Sequence, residues 1–360
     1  MARVRVLLVD DSVVIRRGLT KLLGEDSALE VVGTAANGRL GLARIPQVNP
    51  DMVILDVDMP EMNGLETLRE LRRLYPTLPV IMFSGLTERG ARITLEALFR
   101  GAMDYVTKPS DISDIGDAAA VVRTELIPKI KVLCQVEGSG QLRPVEGRAA
   151  RPRKAKRAAD SVAAVVVASS TGGPAALQVL LEGLPRPLPV PVLIVQHMPP
   201  MFTLYLARQL QSKSGYRVRE GEDAAHVGVG DIWIAPGGRH MKVLREDERV
   251  SLQLTEDPPE NSCRPAADVL FRAAAQVWGE GVLAVVLTGM GRDGLRGCEA
   301  VREAGGRVVV QDRASSVVWG MPGFVAEAGL ADQILAPSEI ATWLAARVGA
   351  TGGRRQGAGG

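Results

Sequence analysis

The sequence predicts an α/β protein of two domains: an N-terminal (βα)5 unit and a C-terminal doubly wound, mostly parallel α/β unit. Three observations predict this. Short β-branched runs alternate with helix-length amphipathic stretches along most of the chain, the rhythm of parallel sheets covered by helices. At 360 residues the chain exceeds the usual size of one compact domain. Between the two alternating stretches lies RPVEGRAARPRKAKR, residues 143–157, with seven basic residues, one acid, two prolines and no apolar periodicity.

In the first half the candidate strands are VRVLLVD, EVVGTA, DMVILDV, LPVIMFS and AMDYVTK, separated by helix-length segments such as Glu88 to Arg100. After Asp160 the rhythm resumes with SVAAVVVAS, VPVLIVQH, DIWIAP, GVLAVVLTG and GGRVVVQD. This divides the chain into domains at 1–125 and 161–348. A linker at 126–160 starts helically and continues as the basic run, read as a solvated spacer. A glycine-rich tail at 349–360, without apolar periodicity, reads as disordered.

Composition narrows the function classes. Hydrophobic residues at 46% suffice for two cores, and 43 Lys and Arg against 41 Asp and Glu leave almost no net charge. Neither nucleic acid nor an anionic membrane is favoured by that balance. The basic run has no interleaved aromatic to stack on bases, and the second domain shows no helix-turn-helix, which speaks against a DNA-binding regulator. Cys134, Cys263 and Cys298 are odd in number and far apart, so neither a disulfide framework nor a CxxC metal site is indicated. The start, MARVRVLLVDD, has too short an apolar run for a signal peptide, and no run reaches membrane-helix length. The expected location is the cytoplasm, without membrane insertion.

In parallel α/β sheets functional groups gather beyond the carboxyl ends of the strands. The first strand delivers Asp10 and Asp11 there, the third Asp56, the fourth Ser84 and the fifth Lys108. Two carboxylates about 4 Å apart in a partly buried site repel by roughly 4 kcal/mol, so the cluster needs a cation, and all-oxygen ligands suit Mg2+. Acids, a cation, a hydroxyl and an ammonium form a phosphoryl-transfer constellation with a carboxylate as covalent acceptor. The blocks LLVDDS, LDVDMPEMNG, MFSGLT and YVTKPS resemble those of two-component receiver domains. The resemblance implies that Asp56 accepts a phosphoryl group from a histidine kinase. It further implies that Asp10, Asp11, Asp56 and the Asp58 backbone carbonyl hold Mg2+, and that Ser84 and Lys108 contact the phosphoryl group.

In the second domain, AVVVASSTGGPAALQVLLEGL breaks from a strand into a small-residue turn and restarts as a helix behind Pro174, with Leu177, Leu180, Leu181 and Leu184 in one stripe. Such a turn can cradle a phosphate or present a nucleophilic hydroxyl. The lysine of a P-loop and the spacing of a dinucleotide fingerprint are both missing, whereas the same helix terminus can stabilise an oxyanion beside a serine. Three histidines are available. His197 ends a strand at the edge that carries the serine turn. His226 sits in a polar-to-glycine loop and reads as structural, and His240, after APGG, stands as a residue that could line the site. Asp293, in the glycine turn after GVLAVVLTG, either orients an imidazole or caps the next helix.

ASSTGGP, VQHMPPMF, APGGRHM, RPAADVLF and LTGMGRDG together resemble the catalytic domain of the chemotaxis protein-glutamate methylesterases, with Ala266 and Ala267 departing from the more usual RPSVD. The resemblance implies that Ser170 rather than Ser169 is the nucleophile, His197 the general base, Asp293 its orienter and the Met290 backbone N–H an oxyanion donor. It implies hydrolysis of glutamate γ-methyl esters on chemoreceptor cytoplasmic domains, without a cofactor for that step, and glutamine deamidation through the same acyl-enzyme. Phosphorylation of the receiver is expected to raise the esterase activity. The alternative is a catalytically silent, phosphorylation-gated receptor-binding module.

Overall fold

The computed structural model describes residues 3–108, 119–136 and 162–348. The basic run at 143–157 and the tail at 349–360 lie outside the described residues. The chain divides into two compact units, Met1–Gln141 and Leu142–Gly360.

The first unit is a five-stranded parallel sheet in the order β2-β1-β3-β4-β5. Its strands are β1 (Val4–Val9), β2 (Leu29–Ala35), β3 (Met52–Asp56), β4 (Val80–Gly85) and β5 (Asp104–Lys108). β3 is buried along its whole length, because helices cover both faces of a parallel sheet and leave no polar side. The intervening helices begin on side-chain caps that satisfy first-turn N–H groups: Ser12, Asn37, Thr87, and Asn63 in a reciprocal capping box with Glu66. The expected domain limit at residue 125 falls inside a helical segment. A π-helical turn, Val122–Leu126, runs directly into the helix Ile127–Leu133. Val122, Leu126, Ile127 and Ile130 pack into the first core with Leu8, Leu19 and Ile54, so this segment is part of the first unit rather than of a spacer.

Among the described residues the main sheet of the second unit has seven strands: β6 (Ala164–Ser169), β7 (Val192–Gln196), β8 (Val218–Glu220), β9 (Ile232–Ile234), β12 (Val282–Val286), β13 (Arg307–Gln311) and β14 (Gln333–Leu335). Their order is β14-β13-β12-β6-β7-β9-β8, parallel throughout. The chain steps from β6 one way to β7, then returns beside β6 as β12, so the topology reverses between β6 and β12. Ligand sites of doubly wound sheets open at such reversals.

The sequence rhythm missed the two edge strands β8 and β14, each three residues long, and a hairpin. β10 (His240–Glu246) and β11 (Arg249–Thr255) form a separate antiparallel pair. Met241, Val243, Val250, Leu252 and Leu254 turn inward against Leu270 and Phe271 of the helix Ala267–Trp278. Lys242, Leu244 and Glu246 alternate outward, as expected of a hairpin with one covered face. Among the described residues no helix is long and apolar enough to cross a membrane.

Candidate active site

Three strand ends converge at the reversal. Ser169 closes β6 and pairs in register with Gln196, the last residue of β7, so Ser170 and His197 occupy the next positions on neighbouring strands. The His197 backbone N–H donates to Ser169 O at 3.1 Å, and the Ser170 N–H donates to Thr288 O at 3.1 Å, beyond β12. The turn Gly289–Gly294 that follows brings Asp293 beneath the imidazole.

Of the two serines, the structure commits one. Ser169 is fully buried and donates its hydroxyl to Gln196 Oε1 at 2.7 Å, while Gln196 Nε2 donates to Ser170 O at 2.9 Å. Ser170 is half-buried at the rim, and among the described residues its hydroxyl carries no such bond. Thr288 secures the turn from behind: its hydroxyl donates to Thr171 O at 3.0 Å and accepts from the Val318 N–H at 3.0 Å.

Two glycines have no substitute here. Gly172 precedes the helix Gly173–Glu182 with φ 77°, left-handed backbone that side-chain-bearing residues rarely adopt. At Gly289 a Cβ would stand 2.4 Å from Met321 Sδ and 2.8 Å from Ser170 Cβ, so only hydrogen fits beside the serine. The N–H of the next residue, Met290, makes no backbone hydrogen bond among the described residues and sits half-buried on the same turn.

His197 Nε2 lies 2.8 Å from Asp293 Oδ2. Asp293 is 2% exposed and receives three further bonds. The Ala267 N–H donates to Oδ2 at 2.6 Å, the Asp268 N–H to Oδ1 at 3.1 Å, and Asn261 Nδ2 to Oδ1 at 3.0 Å. Burial alone would raise the Asp293 carboxyl. The His197 hydrogen bond and charge and the two backbone donors outweigh it and hold the group below the usual carboxylate range. A carboxylate only accepts, so Nε2 carries the proton and Nδ1 is the base position. Relative to the serine-protease template the two ring nitrogens exchange roles. Burial acts to lower the His197 pKa, but the bond to Asp293 and then the Cys263 contact raise it, to about 10.

Nδ1 does not meet Ser170 directly. Among the described residues it faces Cys263 Sγ at 3.7 Å, and no hydrogen bond joins the Ser170 hydroxyl to the ring. Contacts of this kind are commonly open before substrate binds. Serine and histidine thus share one rim without a direct contact between them.

The loop that supplies Asn261 and Cys263 was invisible to strand-end reasoning, since it links β11 to the helix Ala267–Trp278. It is well anchored. Arg272 grips Glu260 through two bonds of 2.7 and 2.6 Å, and Asn261 also donates to Asp268 Oδ2 at 2.8 Å, bridging two buried carboxylates. His240 is the third anchor: fully buried, it accepts the Ala266 N–H on Nδ1 at 3.2 Å and donates from Nε2 to Pro258 O at 3.1 Å. With both nitrogens committed to the loop backbone, His240 does not line the site. His226 is exposed, on a loop bridged to Ser251.

The first unit gathers its acids similarly. Asp10 and Asp56 are each 3% exposed, and Lys108 Nζ lies 2.8 Å from Asp10 Oδ2 and 2.7 Å from Asp56 Oδ1. Burial raises the Asp56 carboxyl, Lys108 pulls it back and Asp10 pushes it up again, leaving it at about 6. Asp10, Asp11 and Asp56 offer carboxylate oxygens within 4.8 Å of one another, a hard donor set that fits Mg2+. Asp58 turns its own carboxylate toward Arg89, at 3.4 Å. Ser84, fully buried at the end of β4, pairs in register with Thr107, next to Lys108.

Residues 165–344 match the family described as CheB methylesterase, and residues 6–120 match the response regulator receiver domain. This chain belongs to the CheB methylesterase family. A protein-glutamate methylesterase/protein-glutamine glutaminase of Trichodesmium erythraeum is 50% identical over 352 residues, covering 97% of this chain and all of the relative. One of the same description from a Nocardioides species is 47% identical over 94% of each chain. The crystal structure of the Thermotoga maritima CheB methylesterase catalytic domain aligns with a TM-score of 0.51 at 40% identity, covering 52% of this chain and 98% of that one.

Proposed function

We propose that this chain is a phosphorylation-activated serine hydrolase that removes γ-methyl groups from glutamate esters on chemoreceptor cytoplasmic domains. The observation that carries the reading is the His197–Asp293 pair at 2.8 Å, which leaves Nδ1 as the base on the rim that presents Ser170.

Ser170 Oγ attacks the ester carbonyl as His197 Nδ1 takes its proton, and Asp293 stabilises the resulting imidazolium through Nε2. The Met290 N–H stabilises the tetrahedral oxyanion. The imidazolium then returns the proton to the departing methanol. Water, deprotonated at the same nitrogen, releases glutamate from the acyl-enzyme. A glutamine substrate follows the same course with ammonia leaving, which makes deamidation a second outcome of one site.

Asp56 is the acceptor for a phosphoryl group from a histidine kinase, and Asp10, Asp11, Asp56 and the Asp58 carbonyl would hold Mg2+. When bound, Mg2+ supplies the charge that lets a phosphoryl group approach clustered acids. Lys108 and Ser84 then hold its oxygens, and phosphorylation shifts the population toward an active catalytic unit.

Methanol release from methylated receptor, with and without a small phosphodonor, tests both halves. Wild type should release methanol faster with the donor. Ser170→Ala should lose release by about 10^6-fold, the scale of nucleophile removal in serine hydrolases, while retaining receptor binding. Receptor binding without methanol release by wild type would instead favour a silent binding module.

A further inference from the structure

The contact that occupies His197 Nδ1 is itself a ligand set. Cys263 Sγ and Nδ1 lie 3.7 Å apart. A zinc ion bound tetrahedrally to a thiolate at ~2.3 Å and an imidazole nitrogen at ~2.0–2.1 Å separates those two atoms by about 3.6 Å. The opposite nitrogen, Nε2, is bonded to the buried Asp293 carboxylate at 2.8 Å. A carboxylate behind the far nitrogen is what orients a zinc-binding histidine and raises its basicity. His197, Cys263 and Asp293 all bring donor atoms within 4.8 Å of one another. Asp293, already holding four hydrogen bonds, serves as the orienting group rather than as a ligand.

We propose that His197 Nδ1 and Cys263 Sγ form an inhibitory binding site for Zn2+ or a similarly soft divalent cation, with water completing the tetrahedron. The Cys263 thiol and the protonated Nδ1 of His197 each give a proton to solvent as the S–Zn and N–Zn bonds form, and no redox change occurs. The bound ion takes the nitrogen lone pair that deprotonates Ser170, so esterase turnover stops. The inhibition rests on the function proposed above, whereas the binding does not. A thiolate with an imidazole selects zinc over the hard Mg2+ of the first unit. Cys263 is half-buried at the rim and so accessible, whereas Cys298 is fully buried in the second core.

Full-length protein saturated with Mg2+, to occupy the carboxylates of the first unit, is titrated with Zn2+ against a chromophoric chelator and separately with Co2+. Wild type, Ser170→Ala and Cys134→Ser should each bind one tight Zn2+ and develop a thiolate-to-Co2+ charge-transfer band. Cys263→Ser should lose the band and bind Zn2+ roughly 100-fold more weakly, given the preference of zinc for thiolate. Equimolar Zn2+ should suppress wild-type methanol release and leave Cys263→Ser closer to its own zinc-free rate. Co2+ binding to wild type without the thiolate band would overturn the site whether or not the variant folds, as would equal Zn2+ affinity in Cys263→Ser. Tight binding through Cys263 in a protein that releases no methanol even without zinc would sink the esterase reading and leave the metal site standing.

Discussion

The two units place their chemistry at the same topological address, past the carboxyl ends of parallel strands, yet neutralise buried charge in different ways. In the first unit Asp10 and Asp56 share one ammonium, Lys108, at 2.8 and 2.7 Å, and the Asp56 carboxyl remains raised, at about 6. In the second, Asp293 faces a histidine and three N–H donors and is held below the usual range. A cluster of like charges with one counter-ion stays poised to accept another cation or a phosphoryl group. A single carboxylate saturated with donors is fixed, and it fixes what it touches. One cluster leaves room for a further partner, whereas the other is already satisfied.

Among changes that leave Ser170 in place, breaking the fixed carboxylate should cost most. Asp293→Asn keeps the shape but turns an amide toward His197, and methanol release should fall about 10^4-fold, the effect of the same change in the serine-protease triad. Asp56→Asn, its counterpart in the first unit, should instead remove the response to a phosphodonor. Comparable losses of basal turnover from both would erase the distinction between the two sites.

Gly289→Ala tests whether the serine is held by packing. The new Cβ would lie 2.8 Å from Ser170 Cβ and 2.4 Å from Met321 Sδ. Turnover should drop about 10^2-fold, as for a misplacement near 1 Å. Stability should fall by about 1–3 kcal/mol, the usual cost of overpacking, measured by denaturant unfolding.

The smallest effect is in pH dependence. His197 must be neutral to act, and its pKa is raised to about 10, so kcat/KM should keep rising with pH above 8 instead of levelling near 7. Stability runs the other way. A group whose folded pKa lies above its unfolded value contributes fully below about 6.5 and loses that contribution as pH rises toward 10. A rate profile flat above pH 7 would mean that Asp293 does not hold the imidazolium.

Much of this site was readable because strand ends are readable. A hydrophobic run that stops at a polar residue marks both a strand and the side chain it delivers, and Asp10, Asp56, Lys108, Ser170 and His197 each follow that pattern. Spacing along the chain also separated the two α/β units, although the helix through Val122–Leu133 crosses the expected limit because its apolar face completes the first core.

What the sequence determined by itself was the family of elements, their parallel arrangement and which side chains reach the functional edges, since local periodicity and strand termination are properties of neighbouring residues. Tertiary structure alone decided that the hairpin β10–β11 stands apart from the sheet, that His240 is a loop anchor and that Ser169 is spent on Gln196. It also decided that Asn261 meets Asp293 and Cys263 meets His197. The outcomes for His240, Ser169, Asn261 and Cys263 depend on contacts across 18 to 66 residues of chain, where packing and hydrogen-bond satisfaction choose partners that no local pattern encodes.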